Sequence, residues 1–505
     1  MVPVEVLTLI VGHLLVPEGR ARSGADVQLD DLRNARLVCR QWNAAASAHM
    51  FRVVALLHSR NGKGFPNFAR LVASPTVRHA ARCVEIYSGP HHYGHDMGTD
   101  RDYDVWDGWE DGNHDEFISA INSIARLPNL QAVSVRFSER CSGVPDNGDS
   151  GDMTMEETST RTHTLVAVFK AVQARAARGA ACEGDTDLTT ITALALQNLQ
   201  NKPIPDLIAS EPFQSLAQNI TDLRLLITEE HNEHGPDDDM NKPERRTFEP
   251  WLQKEFLPLF ADRLTLLQLA FSEKWGAAPG YFDGKGLFFP HLKTLTLGDF
   301  IIGHHDQFDW VLAHKTIETL RLEHCQIVSH LSFMHSDDVD GESELRAWGT
   351  PTHGWTRYPE WSWGVDDRCA TFHFSGTWEA VFDGIRAQLP NLVDFCMDNT
   401  CRKTHYWENS TFNSPEHIRC MLGHLRYITF DAGLCPSPWI SADGRTGEMK
   451  FGNCDPAVPP PEERKYLDYE EKGILNRSQE TWVGDRRAFL DLVRTVGERR
   501  RERGR

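Results

Sequence analysis

No two cysteines of this chain form a Cys-x-x-Cys pair, and no apolar run is long enough to span a bilayer. The chain also has no phosphate-binding Gly-x-x-x-x-Gly-Lys-Ser/Thr loop, no Gly-x-Ser-x-Gly elbow and no His-Glu-x-x-His helix. The eleven cysteines are scattered and odd in number, which argues against a disulfide framework and leaves reduced thiols as the simpler expectation. The apolar stretch Val6 to Val16 contains His13, lacks a basic leader and is too short for a membrane span. Neither secretion nor membrane insertion is expected, and the expected location is cytoplasmic, nuclear or both. The missing motifs leave the motif-defined enzyme classes unsupported, so the expectation is a non-catalytic protein without cofactor or metal.

What is present is a long chain of 505 residues, 40% hydrophobic, with a net charge of −19. That composition supports a substantial core and excludes a disordered chain. The charge is uneven. Residues 1–82 hold eleven Lys/Arg against five Asp/Glu, a balance of +6, and residues 484–505 hold eight against four. A basic start on an acidic body points to an acidic partner for the first segment, with orientation and on-rate as the gain. Nucleic acid does not fit the acidic bulk.

Apolar residues at Val4, Leu7, Ile10, Val11, Leu14 and Leu15 recur at the spacing of one helical face, and Pro3 suits a first turn. Asp30 or Asp31 can cap a second helix presenting Leu32, Ala35, Leu37 and Val38, followed by Trp42. Pro3-x-Glu5-x-Leu7, then Arg36-Leu37-Val38-Cys39-Arg40-Gln41-Trp42, then Phe51-Arg52-Val53 resemble, in order, the segments of an F-box. The resemblance implies a helical hook that docks on a Skp-family adaptor and through it a cullin, with Pro3, Leu7, Ile10, Leu14, Leu37, Val38, Cys39 and Trp42 at or under the docking surface.

Beyond residue 80 a Leu-x-x-Leu-x-Leu pattern repeats at Ile191/Leu194/Leu196, Ile220/Leu223/Leu225, Leu264/Leu267/Leu269, Leu292/Leu295/Leu297 and Ile317/Leu320/Leu322. Looser copies stand at Leu130/Val133/Val135, Leu392/Phe395/Met397 and Leu425/Ile428/Phe430, with Val84/Ile86 as a possible first; Cys325 completes the fifth strict copy. Helical patterns fall between them, at 116–125, 163–178, 205–217, 251–261, 308–314 and 378–389. A strand and a helix per unit is the arithmetic of a leucine-rich repeat, in which stacked neighbours bury a ladder no single unit can close. An ordinary layered α/β domain shows the same alternation.

The expected fold class is therefore α/β: a short all-α F-box over 1–56, a linker helix over 57–80, and an irregular leucine-rich-repeat-like α/β solenoid, a horseshoe, over 81–435. Polar inserts are expected at 138–162 and 228–249, and another at 326–376. A loop-rich extension over 436–505 ends in a basic helix whose arginines either lie in solvent or meet an acidic surface or import receptor.

Alternate strand residues would face a protein substrate, and the register names Glu85, Arg136, Arg224, Gln268, Arg321, Glu323 and Asp398. Trp355 and Trp361 of the third insert either anchor a partner or fold over an open edge of the chain's own sheet. Together these imply a substrate-recognition subunit of a Skp/cullin/F-box ubiquitin ligase. The rivals are a repeat scaffold outside any ligase, and a metal-dependent hydrolase built on His91-His92-Tyr93-Gly94-His95-Asp96. Lesser candidates are His304-His305-Asp306 and Cys396 with Cys401 and His405.

Overall fold

The computed structural model describes residues 6–7, 10–11, 31–57, 64–88, 114–138, 141–142, 156–181, 188–229, 243–277, 280–334, 354–357, 369–399, 420–423, 425–431, 435–437, 439–442, 449–450, 474–475, 477 and 480–504. The chain is mixed α/β, and its contacts divide it into two units, Met1–Leu199 with Ile204–Ile220, and Gln200–Pro203 with Thr221–Arg505.

In the first unit helix α1 (Arg40–Met50) leads to strand β1 (Val53–Leu56), so the last residues of the segment expected to be all-helical belong to a sheet. Helices α2 (Gly64–Ala73) and α3 (Pro75–Ala80) then carry the chain to β2 (Cys83–Tyr87). Helix α4 (Asp115–Asn122) precedes β3 (Ala132–Arg136); β4 (Cys141–Ser142) and β5 (Glu156–Glu157) form a small pair; α5 (Thr158–Ala181) leads to β6 (Ala193–Gln200). Two short helices close the unit, α6 (Pro205–Ala209) and α7 (Glu211–Ala217), each with proline in its first turn, where no amide hydrogen is needed.

Strands β1, β2, β3 and β6 run parallel, which demands the helical crossovers between them. Their apolar residues line up: Leu56 beside Ile86, Ile86 beside Val135, Val135 beside Leu196. Alternate burial along β2 and β3 puts Val84, Ile86, Val133 and Val135 in the core. The segment 138–162, expected as a polar insert, is structured at its end. The buried carboxylate of Glu156 accepts from Arg161 Nε at 3.1 Å, from the Ser138 amide at 2.8 Å and from the Ser88 hydroxyl. Arg161 also donates to the carbonyls of Asn198 and Ser138, so the charge pair is fully hydrogen-bonded.

The second unit carries β7 (Asp222–Thr228), β8 (Leu266–Trp275), β9 (Thr294–Ile302), β10 (Thr319–Glu323), β11 (Gln326–Met334), β12 (Trp355–Arg357), β13 (Cys369–Phe374) and β14 (Asp394–Asp398). Beyond them come β15 (Tyr427–Asp431), β16 (Cys435–Ser437) and a small antiparallel group, β17 (Trp439–Ala442), β18 (Met449–Lys450) and β19 (Ile474–Leu475). Leu223, Leu267, Leu295, Leu320 and Phe395 are successive partners on β7, β8, β9, β10 and β14, all parallel. Two residues on, Leu225, Leu269, Leu297, Leu322 and Met397 form a second line. The positions aligned by the Leu-x-Leu spacing are thus neighbours in space, and every one of them is buried. Cys325 turns inward beside the ladder and its thiol donates to the Leu297 carbonyl at 3.4 Å.

The last sequence copy behaves differently. Tyr427–Asp431 pairs with β11 and not with β14. Asp299 in β9 and His324 between β10 and β11 stand next in register to the Gly298–Glu323 pair, and both have left-handed backbone, φ 59° and 52°. β9 and the β10–β11 segment bend together there. Beyond the bend Ile301 and Ile302 still pair with Gln326 and Ile327, and β11 takes β15 as a parallel neighbour and β13 as an antiparallel one, with β12 added on β13. Residues 326–376, expected as an insert, therefore supply three strands of this sheet.

Helices of this unit are α8 (Pro243–Trp251), α9 (Asp309–Ala313), α10 (Trp378–Gln388) and α11 (Trp482–Arg503). The single helix expected over 251–261 is instead the end of α8, a π turn at Leu252–Phe256 and a 3-10 turn at Leu257–Phe260. Pro250 and Pro258 remove two amide donors from that ladder, and the hydrogen-bond step changes there. Among the described residues no helix joins β8 to β9; Phe282, Leu287, Phe289 and Leu292 fill the layer instead, and left-handed Gly284 lies where a Cβ would collide with Trp310.

The basic terminal helix is built into the unit. Asp485, Ala488, Phe489, Leu492 and Val496 form its buried stripe. Asp485 Oδ2 meets Arg426 Nε at 2.7 Å with neither side chain exposed, accepts from Tyr427 OH at 3.0 Å, and its Oδ1 accepts from the Glu379 amide in the first turn of α10. At the other end Arg499 donates to the carbonyls of Arg386 and Leu389, and Arg500 to the Val393 carbonyl and Asp394. Of the arginines expected in solvent or on an acidic surface, Arg499 is half-buried against the end of α10, while Arg500, Arg501 and Arg503 are exposed, Arg500 beside Asp394 and Arg503 beside Glu318. Asp485→Ala leaves Arg426 buried without its counter-charge, and the expected loss in urea unfolding is about 3–5 kcal/mol. A loss below about 1 kcal/mol would show that this pair does not hold α11 in place.

Candidate functional site

At the start of the chain the described helical residues sort by spacing. Leu7 and Val11 are four apart and buried, while Val6 and Ile10, also four apart, are exposed. Leu32 and Ala35, three apart in the helical stretch 31–36, join Leu7, Val11, Ala45 and Ala46 in a small core, against which Trp42 and Met50 pack half-buried.

The chain then turns. The amides of Leu37 and Val38 donate to Asn34 and Ala35, Cys39 is extended, and α1 begins at Arg40. Arg36 brackets the turn: its Nε donates to Asn43 at 3.1 Å, another guanidinium nitrogen approaches Met50 sulfur at 3.3 Å, and its carbon lies 5.2 Å from the Phe51 ring centre. Leu37 is left 85% exposed and Val38 64%, with Cys39 beside them also exposed. Leaving a Leu or Val in water forgoes roughly 1.5–3 kcal/mol of burial each, so a fixed turn presenting both is a surface suited to a protein partner.

Of the residues expected to dock an adaptor, Ile10, Leu37, Val38 and Cys39 are on the surface. Leu7, expected at or under that surface, is 3% exposed and belongs to the core, because its face of the first helix is the one that packs on Leu32 and Ala45. Trp42 faces the same core and is half-buried. Pro3 and Leu14 lie outside the described residues.

The strand-face residues are brought together unit by unit. In the second unit Arg224, Gln268, Thr296, Arg321 and Cys396 are successive partners across five strands, and Glu323 and Asp398 partner each other two residues on. Arg224 is held by Asp222 through two contacts of 3.1 Å, and Arg321 by Asp394 at 2.6 Å. Gln268 is 2% exposed, so it is buried in the row instead of presented by it; its Oε1 and the Nε of Arg321 make no hydrogen bond. Glu323 is buried as well and Asp398 half-buried. In the first unit Glu85 and Arg136 lie half-buried on one face of β2 and β3; burial pushes the Glu85 carboxyl above its usual range and Arg136 draws it back.

Of the two expectations for Trp355, a partner anchor or a cover for the chain's own sheet, its position matches the second. It lies on β12, half-buried, its indole N–H donating to His304 Nε2 at 3.3 Å and its ring against Phe374. It covers its own sheet at Gly303, where an added side chain would have met it. Trp361, the His91 region, Cys401 and His405 lie outside the described residues. His304 is buried under Trp355, and Asp306 is paired with Lys285 at 3.1 Å. Among the described residues no three His, Cys, Asp or Glu side chains are grouped as metal ligands, and no helix is long and apolar enough to cross a membrane.

The Arg36 bracket, the Asp394 partner of Arg321 and the paired bends at Asp299 and His324 are absent from the sequence reading. The repeat alignment held a signal for the second, since aligning Leu320 with Phe395 sets Asp394 diagonal to Arg321. No family model matches the chain, and no curated protein sequence does.

If Leu37 and Val38 face a partner and Leu7 supports them, substitution separates the two roles. Leu37→Asp with Val38→Asp is expected to leave unfolding free energy within about 0.5 kcal/mol of the parent, as for exposed sites. Leu7→Ala is expected to cost about 2–5 kcal/mol by urea denaturation. Equal costs would place the turn in the core.

Proposed function

We propose that the chain is the substrate-receptor subunit of a Skp/cullin/F-box-type ubiquitin ligase, docking the adaptor through its first fifty residues and a protein substrate through an irregular leucine-rich-repeat-like solenoid. The observation that carries this reading is the Leu37–Val38 turn, which belongs to the Arg-Leu-Val-Cys-Arg-x-Trp segment and stands in solvent over a packed helical core. The +6 balance of residues 1–82 supports an acidic adaptor, steering its approach.

The second support is the row from Arg224 to Cys396. A strand-to-strand spacing of about 4.8 Å sets Arg224 and Arg321, three strands apart, roughly 14 Å from each other. Both guanidinia are half-buried and reach the surface of the row, where they suit acidic or carbonyl groups of a peptide, whereas Gln268 lies inside it. On this reading the chain performs no bond chemistry. It holds substrate lysines near an activated ubiquitin carried elsewhere, and the gain is effective concentration. Such work takes place in cytoplasm or nucleus and calls for no cofactor.

The test is capture of a purified Skp-family adaptor by the full chain. The parent is expected to bind, and Leu37→Asp with Val38→Asp to weaken binding by about 30-fold or more, the loss typical of a central apolar anchor. Arg321→Glu is expected to leave adaptor binding unchanged while depleting the proteins retained from extract. Failure of the parent to bind any adaptor would overturn the ligase reading and leave a repeat scaffold.

A further inference from the structure

Cys396 of β14 and Cys420 meet at the edge of the second unit's sheet. The Met421 amide donates to the Met397 carbonyl at 2.7 Å and Asp398 pairs with Met421 as an isolated parallel bridge, so residues 420–421 run beside the end of β14. The Cys420 thiol donates to the carbonyl of Phe395, the residue before Cys396, at 3.3 Å. Both are free, Cys420 exposed and Cys396 half-buried. Cys325 is the contrast, wholly buried and donating to carbonyls, its thiol pushed up by desolvation.

We propose that Cys396 and Cys420 are a peroxide-sensitive thiol pair, with Cys396 as the attacking sulfur and Cys420 as the resolving one. The pairing of residues 420–421 with the end of β14 supplies the geometry, and exposure of Cys420 gives an oxidant access. Cys396 is the better nucleophile because its neighbour Cys420 first, and then the Arg321 and Arg500 guanidinia, pull its thiol down to about 7 against burial and Asp394.

The chemistry balances with hydrogen peroxide as the oxidant. The Cys396 thiolate attacks one peroxide oxygen, the O–O bond breaks, and hydroxide leaves to become water with the proton the thiol gave up. Cys420 then attacks the sulfenyl sulfur, an S–S bond replaces the S–O bond, and a second water departs. Two thiols are oxidised by two electrons in all. The product ties residue 420 covalently to β14, next to the row that contains Arg321. The proposal does not depend on the ligase reading.

The full chain, exposed to peroxide, alkylated and digested with trypsin without reduction, is expected to yield residues 387–402 joined to 420–426. Cys401 shares the first peptide, so two variants assign the bond: Cys401→Ser keeps the cross-link and Cys396→Ser abolishes it. The oxidation rate is expected to rise about tenfold between pH 6 and 8 and then level off, as for a thiol that is half ionised near 7; an ordinary thiol keeps climbing past pH 8. Loss of the cross-link in Cys401→Ser, or recovery of both peptides fully alkylated, would overturn the proposal.

Discussion

A strand with one apolar face cannot bury that face alone, and this requirement governs the second unit. Leu223, Leu267, Leu295, Leu320 and Phe395 are each inaccessible because a neighbour of the same type stands alongside and a helix or aromatic layer lies beneath. At roughly 1.5–3 kcal/mol for each large side chain buried, the ladder is worth far more than any single polar contact in the unit, which is why its register is strict. The same requirement creates a problem at the last strand. Helix α11 addresses it by laying Phe489 against Phe382 and Phe395, and the Asp485–Arg426 pair fixes how the helix enters.

The first fifty residues follow a smaller version of that logic. Six buried side chains hold two helical stretches and α1 together, and what remains outside is a turn that ends one helix and caps the next. A turn of that kind ordinarily carries polar residues, whereas this one carries Leu37 and Val38. The energy forgone there has a natural return in docking, and the docking reading rests on that contrast. The strand face differs in character: its arginines are already matched to Asp222 and Asp394, so it is preorganised and any partner must compete with internal pairs.

Much of this architecture was legible in the sequence, and the reasons are physical. Burial in a parallel sheet imposes a short apolar period that survives in the residues, so the Leu-x-Leu positions and most helices between them could be aligned. The bends at Asp299 and His324 left no such trace, because left-handed backbone at a non-glycine residue depends on its surroundings. Residues 326–334 were read as an insert since their strand follows a bend instead of a helix. The terminal arginines were legible in part: Arg500, Arg501 and Arg503 are exposed as a charge run suggests, whereas the carbonyls that hold Arg499 lie about a hundred residues away in the sequence and leave no local mark. At the N-terminal site, spacing grouped Leu7, Ile10 and Val11 on one helical face, whereas Leu7 and Val11 pack inward and Ile10 is exposed with Val6, a split that the partner helix decides.

The central claim is that the Leu37–Val38 turn is where this chain meets an adaptor. Hydrogen exchange read by mass spectrometry on the full chain, alone and saturated with a purified Skp-family adaptor, tests it most directly. The account predicts that slowed exchange concentrates in the peptides spanning residues 31–50, with the strand peptides around Arg321 unchanged. Protection of the strand peptides with the turn left as fast as in the free protein would contradict it.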